Sequence, residues 1–185
     1  MIRGRAVPGF RDRRGWFDVP SGDLEILGPS DLEGYIRRSG IRAEVVEVGA
    51  GATSDAAAKS LDSSLGSIVK SVLFMDENNR PMLVIMGGEH RLQQSAFARL
   101  SKRKRVRLAT RDEVIKYTGY PVGGVPPIGI RPGTEVFVDR RVLTKKIAFA
   151  GGGSERHLLR FEPVQLERLY PDRFFDLPVK DKEPS

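Results

Sequence analysis

Lys70 stands in the middle of "SIVKSVLF", a stretch otherwise built from apolar and small residues. Under the two-residue alternation of a strand it shares a face with Ile68, Val72 and Phe74, while Val69, Ser71, Leu73 and Met75 face the other way. Both faces read as buried, and lysine is among the residues least often buried without a partner. Its ammonium therefore either reaches an edge along its aliphatic stem or serves a site as a fixed positive charge. A second stretch, "TGYPVGGVPPIG" at residues 118–129, is dense in the two residues that set backbone freedom. Prolines 121, 126 and 127 restrict φ, whereas Gly119, Gly123, Gly124 and Gly129 permit positive φ and close approach of another molecule. A helix C-cap at Gly119 followed by a tight turn accounts for the first glycine and leaves 123–129 unexplained. A stiff loop that presents backbone N–H and C=O groups suits the holding of a small polar group.

Other chemistries are absent or weak. There is no cysteine, which removes disulfides, thiolate metal sites and cysteine nucleophiles. His90 and His157 have no metal-ligand spacing around them, so neither a metal nor another cofactor is expected. The phosphate-binding pattern G-x-x-x-x-G-K-[ST] does not occur, and "VGAGAT" carries Ser54 where the dinucleotide fingerprint needs its third glycine. Ser154 in "GGGSER" lacks the G-x-S-x-G elbow of a nucleophilic serine.

The elements that must position these residues alternate between helix and strand. Ser30 and Glu33 read as a capping box for a short helix ended by Gly40, and "AEVVEVGA" reads as a strand. Thr53 or Ser54 caps a second helix through Leu61 and Leu65 to Gly66. "SIVKSVLFM" and "MLVIM", joined by "DENNRP", read as a hairpin, and "QQSAFARLS" as a helix. Thr110 and Glu113 form another capping box, whose helix stops where the glycine-proline loop begins. "VRLA", "EVFVD", "KIAFAG" and "HLLRF" are further strands, "PVQLERLY" opens a helix on proline, and "VKDKEPS" reads as a frayed tail. Hairpins together with strand-helix alternation predict an α+β fold: a mixed, mostly antiparallel sheet or barrel-like core flanked by helices.

The chain has 185 residues, 39% hydrophobic and 30% charged, which fits one globular domain with a proper core. No apolar run reaches a membrane span and the arginine-rich start lacks the apolar segment of a secretory signal, so a cytoplasmic protein is expected. The formal charge is +7, partly concentrated in "SKRKRVR", where Lys102, Arg103, Lys104, Arg105 and Arg107 fall within six positions. That cluster is either a solvated turn between helix and strand or a contact for a polyanion such as nucleic acid.

"SIVKSVLF", "TGYPVGGVPPIG", "EVFVDRRVL" and "IAFAGG", in this order and spacing, resemble the YbaK family of aminoacyl-tRNA deacylases, a domain that also occurs as the editing insertion of bacterial-type prolyl-tRNA synthetases. The match runs from about Thr53 to Leu166. It implies residues 1–52 as an N-terminal extension packed on the core, 53–170 as the editing domain and 171–185 as a C-terminal tail, a single domain overall. It implies a barrel-like core, no metal, and hydrolysis of the ester of a mischarged tRNA acting in trans. Lys70 falls on the family's key lysine and Gly123 through Pro127 on its GxxxP loop, with Gly123 and Gly124 offering backbone groups at the reacting centre. Tyr120, Pro127 and Gly129 are implied at the substrate, as are Asp139 and the pocket-closing Gly151 and Gly152. The tRNA, and with it a synthetase, are the implied partners, with Lys102, Arg103, Lys104 and Arg105 on its phosphates. A binding module that keeps the fold without hydrolysis is the competing expectation.

Overall fold

The structure, a computed structural model, describes residues 25–48 and 68–182. The helix expected through Leu61 and Leu65, with its Thr53 or Ser54 cap, and the glycines of "VGAGAT" lie outside the described residues.

The hairpin forms as its composition requires. Strand β2, Val69–Asp76, runs antiparallel to β3, Pro81–Gly87, with Lys70 opposite Met86 and Leu73 opposite Leu83. Asp76 closes the turn: its carboxylate accepts the N–H groups of Asn78 (2.8 Å) and Arg80 (2.9 Å), while Asn79 takes positive φ. Every residue of β3 is buried, so this strand lies at the centre of the molecule. On its far side β6, Glu135–Asp139, pairs in parallel, followed by the short β9, Phe174–Phe175. Beyond β2, β5 (Val106–Leu108) completes a five-stranded mixed sheet.

A second, three-stranded sheet packs against the first. It is formed by β1 (Ala43–Glu47), β8 (His157–Phe161) and β7 (Ala148–Gly151), all antiparallel. The two sheets meet where Ile68 bridges Phe149. Alternation along β2 does what the sequence predicts. Val69, Leu73 and Met75 enter one apolar cluster with Ile85, Val138 and Leu159. Phe74, with Val72 beside it, enters the other, where Phe97 meets Phe137 edge-on at 5.1 Å. Burying each such side chain contributes about 1.5–3 kcal/mol.

Helices cover the sheets. Helix α1, Pro29–Ser39, starts one residue before the expected cap: Pro29 takes the first helical position, and Gly28 N–H donates to the Asp31 carboxylate (2.9 Å), so Ser30 and Glu33 are not the capping box. Gly40 ends it at φ 64° as expected. Helix α2 is Gln94–Leu100, and α3 is Arg111–Thr118. The Thr110–Glu113 box is formed as read: Glu113 N–H donates to Thr110 Oγ1 (3.3 Å), and Thr110 N–H to the Glu113 carboxylate (2.8 Å). "PVQLERLY" splits into a 3₁₀ turn, Pro163–Gln165, and the short α4, Leu166–Leu169.

As far as residue 182 the tail is not frayed. The Phe175 ring packs at a tilt against Phe137 at 5.3 Å, Leu177 is buried, and β10 (Val179–Asp181) pairs antiparallel with β4 (His90–Leu92). Backbone pairing, to which side-chain polarity is indifferent, overrides the charged composition that reads as disorder.

Glu113 also ties α3 to the sheet through two bonds from the Arg107 guanidinium (2.7 and 2.8 Å), which hold its carboxyl down at about 2. A depressed carboxyl stabilises the fold above its unfolded value, near 4.3, and the gain is lost as pH falls through the native value. Glu113→Gln is therefore expected to cost about 1 kcal/mol at neutral pH. The cost should vanish between about pH 4 and pH 2, read as converging melting curves of wild type and variant.

Candidate functional site

A cleft of about 470 Å³ opens where the two sheets diverge, between the start of β2, residues 149–151 of β7 and residues 122–125 of the glycine-proline loop. The hydrogen-bond phase of β2 explains why it opens there. Ile68 C=O accepts from Gly88 N–H (2.9 Å) and Asp76 N–H donates to Arg80 C=O (3.1 Å), so even-numbered residues of β2 bond toward β3. Val69, Ser71 and Leu73 turn their amides the other way. Leu73 C=O meets Ala109 N–H (3.0 Å), but pairing with β5 starts only at Phe74. Ser71 thus presents its N–H and C=O at an open strand edge with no neighbouring strand among the described residues. Its hydroxyl oxygen is also buried without a hydrogen-bond partner there. Sequence reading passed over this serine, because only the pairing register tells which side of a strand is open.

The walls are apolar, from Ile68, Leu73, Val125 and Phe149 among others, and two lysines but no carboxylate line the cleft among the described residues. Lys70 is half-buried, and its ammonium lies 3.5 Å from the His90 carbonyl oxygen. The second is Lys182, carried in by the tail.

The glycine-proline loop is a fixed rim. At its start Gly119 caps α3 at φ 89°, and Tyr120 is enclosed with its hydroxyl donating to Gly129 C=O (3.3 Å). Burial pushes the Tyr120 phenol up to about 12, so it stays a neutral donor. Tyr170 donates to Pro127 C=O (2.8 Å), and Arg131 N–H returns to Thr118 C=O (3.1 Å). In the middle Gly124 bonds twice: its N–H to Pro121 C=O (3.0 Å), its C=O from Gly153 N–H (2.8 Å). Gly123, exposed at φ 90°, has no backbone partner among the described residues. A seam of bare backbone holds loop and strand together: a Cβ on Gly151 would stand 2.4 Å from the Val125 oxygen, and one on Gly124 2.7 Å from Ser154 N.

The aminoacyl-tRNA editing domain model matches residues 49–169. This chain belongs to the aminoacyl-tRNA editing domain family. Among relatives of the editing domain, the uncharacterized protein YwhH of Bacillus subtilis is 27% identical over 118 residues, 64% of this chain and 74% of that protein. The proline–tRNA ligase of the same organism is 33% identical over 127 residues, 68% of this chain but 22% of the ligase. A solved structure described as a candidate trans-editing enzyme for prolyl tRNA synthetase superposes with TM-score 0.73 at 31% identity, over 81% of this chain and 96% of that one. No group of three or more metal-ligating side chains occurs among the described residues of the editing domain, and none of its described helices is long and apolar enough to cross a membrane.

Of the residues implied at the site, Lys70, Gly123 and Gly151 line the cleft. Gly124 sits behind Gly123, and Tyr120, Pro127, Gly129 and Gly152 support the rim without lining it. Asp139 is elsewhere. Its side chain is fully enclosed, caps the 3₁₀ turn Arg140–Thr144 by accepting from Arg141 N–H (3.1 Å), and pairs with the Arg141 guanidinium (2.9 Å). The carboxylate implied at the substrate thus has its partners within the fold and does not line the cleft.

The basic cluster divides in the same way. Arg103 is only 19% exposed and bridges the enclosed Asp76 carboxylate (3.2 Å) and Glu135 (2.7 Å), so its guanidinium is engaged within the fold. Lys102, Lys104 and Arg105 remain exposed. Arg103→Ala strands a buried carboxylate and is expected to cost about 3 kcal/mol in denaturant unfolding. Lys104→Ala and Arg105→Ala should each stay within about 0.5 kcal/mol of wild type.

Proposed function

We propose that this editing domain hydrolyses, in trans, the ester that joins a wrong amino acid to the terminal adenosine of a tRNA. The observation that carries the reading is the cleft itself: apolar walls and a half-buried lysine converge on one space with a Ser71 strand edge and a Gly123 backbone that have no backbone partner among the described residues. An aminoacyl ester needs no strong nucleophile, because it is already activated and a ribose hydroxyl lies beside it. Water adds to the ester carbonyl carbon, the carbon–oxygen bond to the ribose breaks, and the ribose oxygen leaves with a proton. Lys70 supplies positive charge where the carbonyl oxygen becomes negative, in surroundings that weaken its field little. Gly123 and Ser71 orient the water or the ribose hydroxyl. Gly124 does not share this task, since both its backbone groups are spent within the fold.

The apolar walls favour a small aliphatic amino acid. The likeness to a proline–tRNA ligase and to a candidate editing enzyme of its synthetase points to tRNA for proline, with that synthetase as the partner that produces the substrate. The exposed Lys102, Lys104 and Arg105 reach the tRNA backbone, so binding weakens as salt rises. The test is a panel of correctly and wrongly charged tRNAs incubated with the wild-type protein. Selective hydrolysis of one wrongly charged species supports the reading. Binding of tRNA with no hydrolysis anywhere on the panel replaces it with a noncatalytic module.

A further inference from the structure

The tail contributes a cation to the cleft from beyond the span that matches the editing family. Strand β10 pairs with β4 residue by residue, Val179 with Leu92, Lys180 with Arg91 and Asp181 with His90, and Lys182 N–H then donates to Glu89 C=O (2.9 Å). This zipper fixes where the Lys182 side chain starts. The same short strand β4 offers the His90 carbonyl to Lys70, so one strand pair sets both lysines on the cleft. The carboxylates nearby are taken: Asp181 lies 3.1 Å from His90 Nδ1, and Glu89 meets Lys145 at 3.5 Å and His90 Nε2 at 3.6 Å. Among the described residues Lys182 has no acidic partner, although it lines a cleft with no carboxylate on its walls.

We propose that Lys182 is a phosphate-binding residue of the cleft, which grips the single-stranded acceptor end while Lys70 attends to the ester. The inference rests on the reading of the cleft as the seat of an aminoacylated RNA end. The chemistry of that end selects the ligand. The amino acid's carboxyl is esterified and its amino group is cationic, so the anions left for a lysine at the rim are phosphodiesters. A lysine serves as a point charge there, which suits a flexible strand better than a shaped fork does.

The probe is a short single-stranded RNA ending in CCA, with alanine linked to its terminal ribose by an amide that cannot be hydrolysed, read by fluorescence anisotropy across salt. Lys182→Gln is expected to bind about fivefold weaker at low salt, and the slope of log affinity against log salt should fall by about 0.7, one phosphate's worth. Lys182→Arg should restore both. Adenosine carrying the same amide but no phosphate should bind wild type and Lys182→Gln equally, which a merely structural lysine would not produce. Unchanged affinity and slope in Lys182→Gln overturn the proposal, as does a wild-type protein that does not bind the RNA. Weaker binding in Lys182→Gln beside a wild type that hydrolyses no ester keeps the phosphate contact and removes the deacylase instead.

Discussion

Lys70→Met is expected to lower the single-turnover rate of deacylation by about 10²–10³-fold, the usual loss when one preorganised charge is removed from a developing oxyanion. Methionine keeps most of the volume and the apolar stem of the half-buried lysine, and the pairing of β2 with β3 does not depend on the side chain. Melting temperature and circular dichroism should therefore stay close to wild type, which separates the loss of charge from loss of fold. Lys70→Ala should lose the same activity with a slightly lower melting temperature, because it also removes the packed stem. Lys70→Arg keeps charge but brings a larger planar group into a half-buried place, so it should recover little. Wild-type rates in Lys70→Met would end the electrostatic account.

Gly151→Ala carries the second large effect, and it acts without touching any charge. The added Cβ would stand 2.4 Å from the Val125 oxygen and 2.7 Å from Gly124 C, both backbone atoms that cannot rotate away. The rim must shift by something like 1 Å, and displacement of that size in a positioned site costs about 10²-fold in kcat/KM. Overpacking adds a stability loss of about 1–3 kcal/mol. Gly34→Ala in helix α1 is the contrast. There the nearest atom is a flexible guanidinium nitrogen of Arg38 at 3.1 Å, so the substitution should leave activity unchanged and raise helix stability by up to about 1 kcal/mol. Equal activity of Gly151→Ala and Gly34→Ala would mean that the rim's position does not matter.

The elements that show through the sequence are those whose signals are local. The hairpin of β2 and β3 is legible because both strands are apolar on both faces and a polar turn divides them. Helix α3 is legible because Thr110 and Glu113 stand three apart. Lys70 stands out as a charge in an apolar strand, and the loop as a density of glycine and proline. What the sequence hides depends on distant partners. Nothing in "SKRKRVR" says that Arg103 will meet Asp76 and Glu135 while its neighbours face solvent. Asp139 looks like a site aspartate at a strand end until its carboxylate is seen closing on Arg141. Lys182 sits in a run whose composition reads as loose, and it reaches the cleft through β4, a three-residue strand too short to carry a pattern.

The proposed seat of the aminoacylated RNA end is the cleft between β2, β7 and the glycine-proline loop. Methyl NMR of the wild-type protein, titrated with the amide-linked alanyl RNA, tests it most directly. Saturable shifts are expected at Ile68, Leu73, Val125 and Ala150, with smaller ones near the exposed lysines and arginine of residues 102–105. Shifts confined to that basic surface, with the four cleft methyls unmoved at saturation, would contradict it.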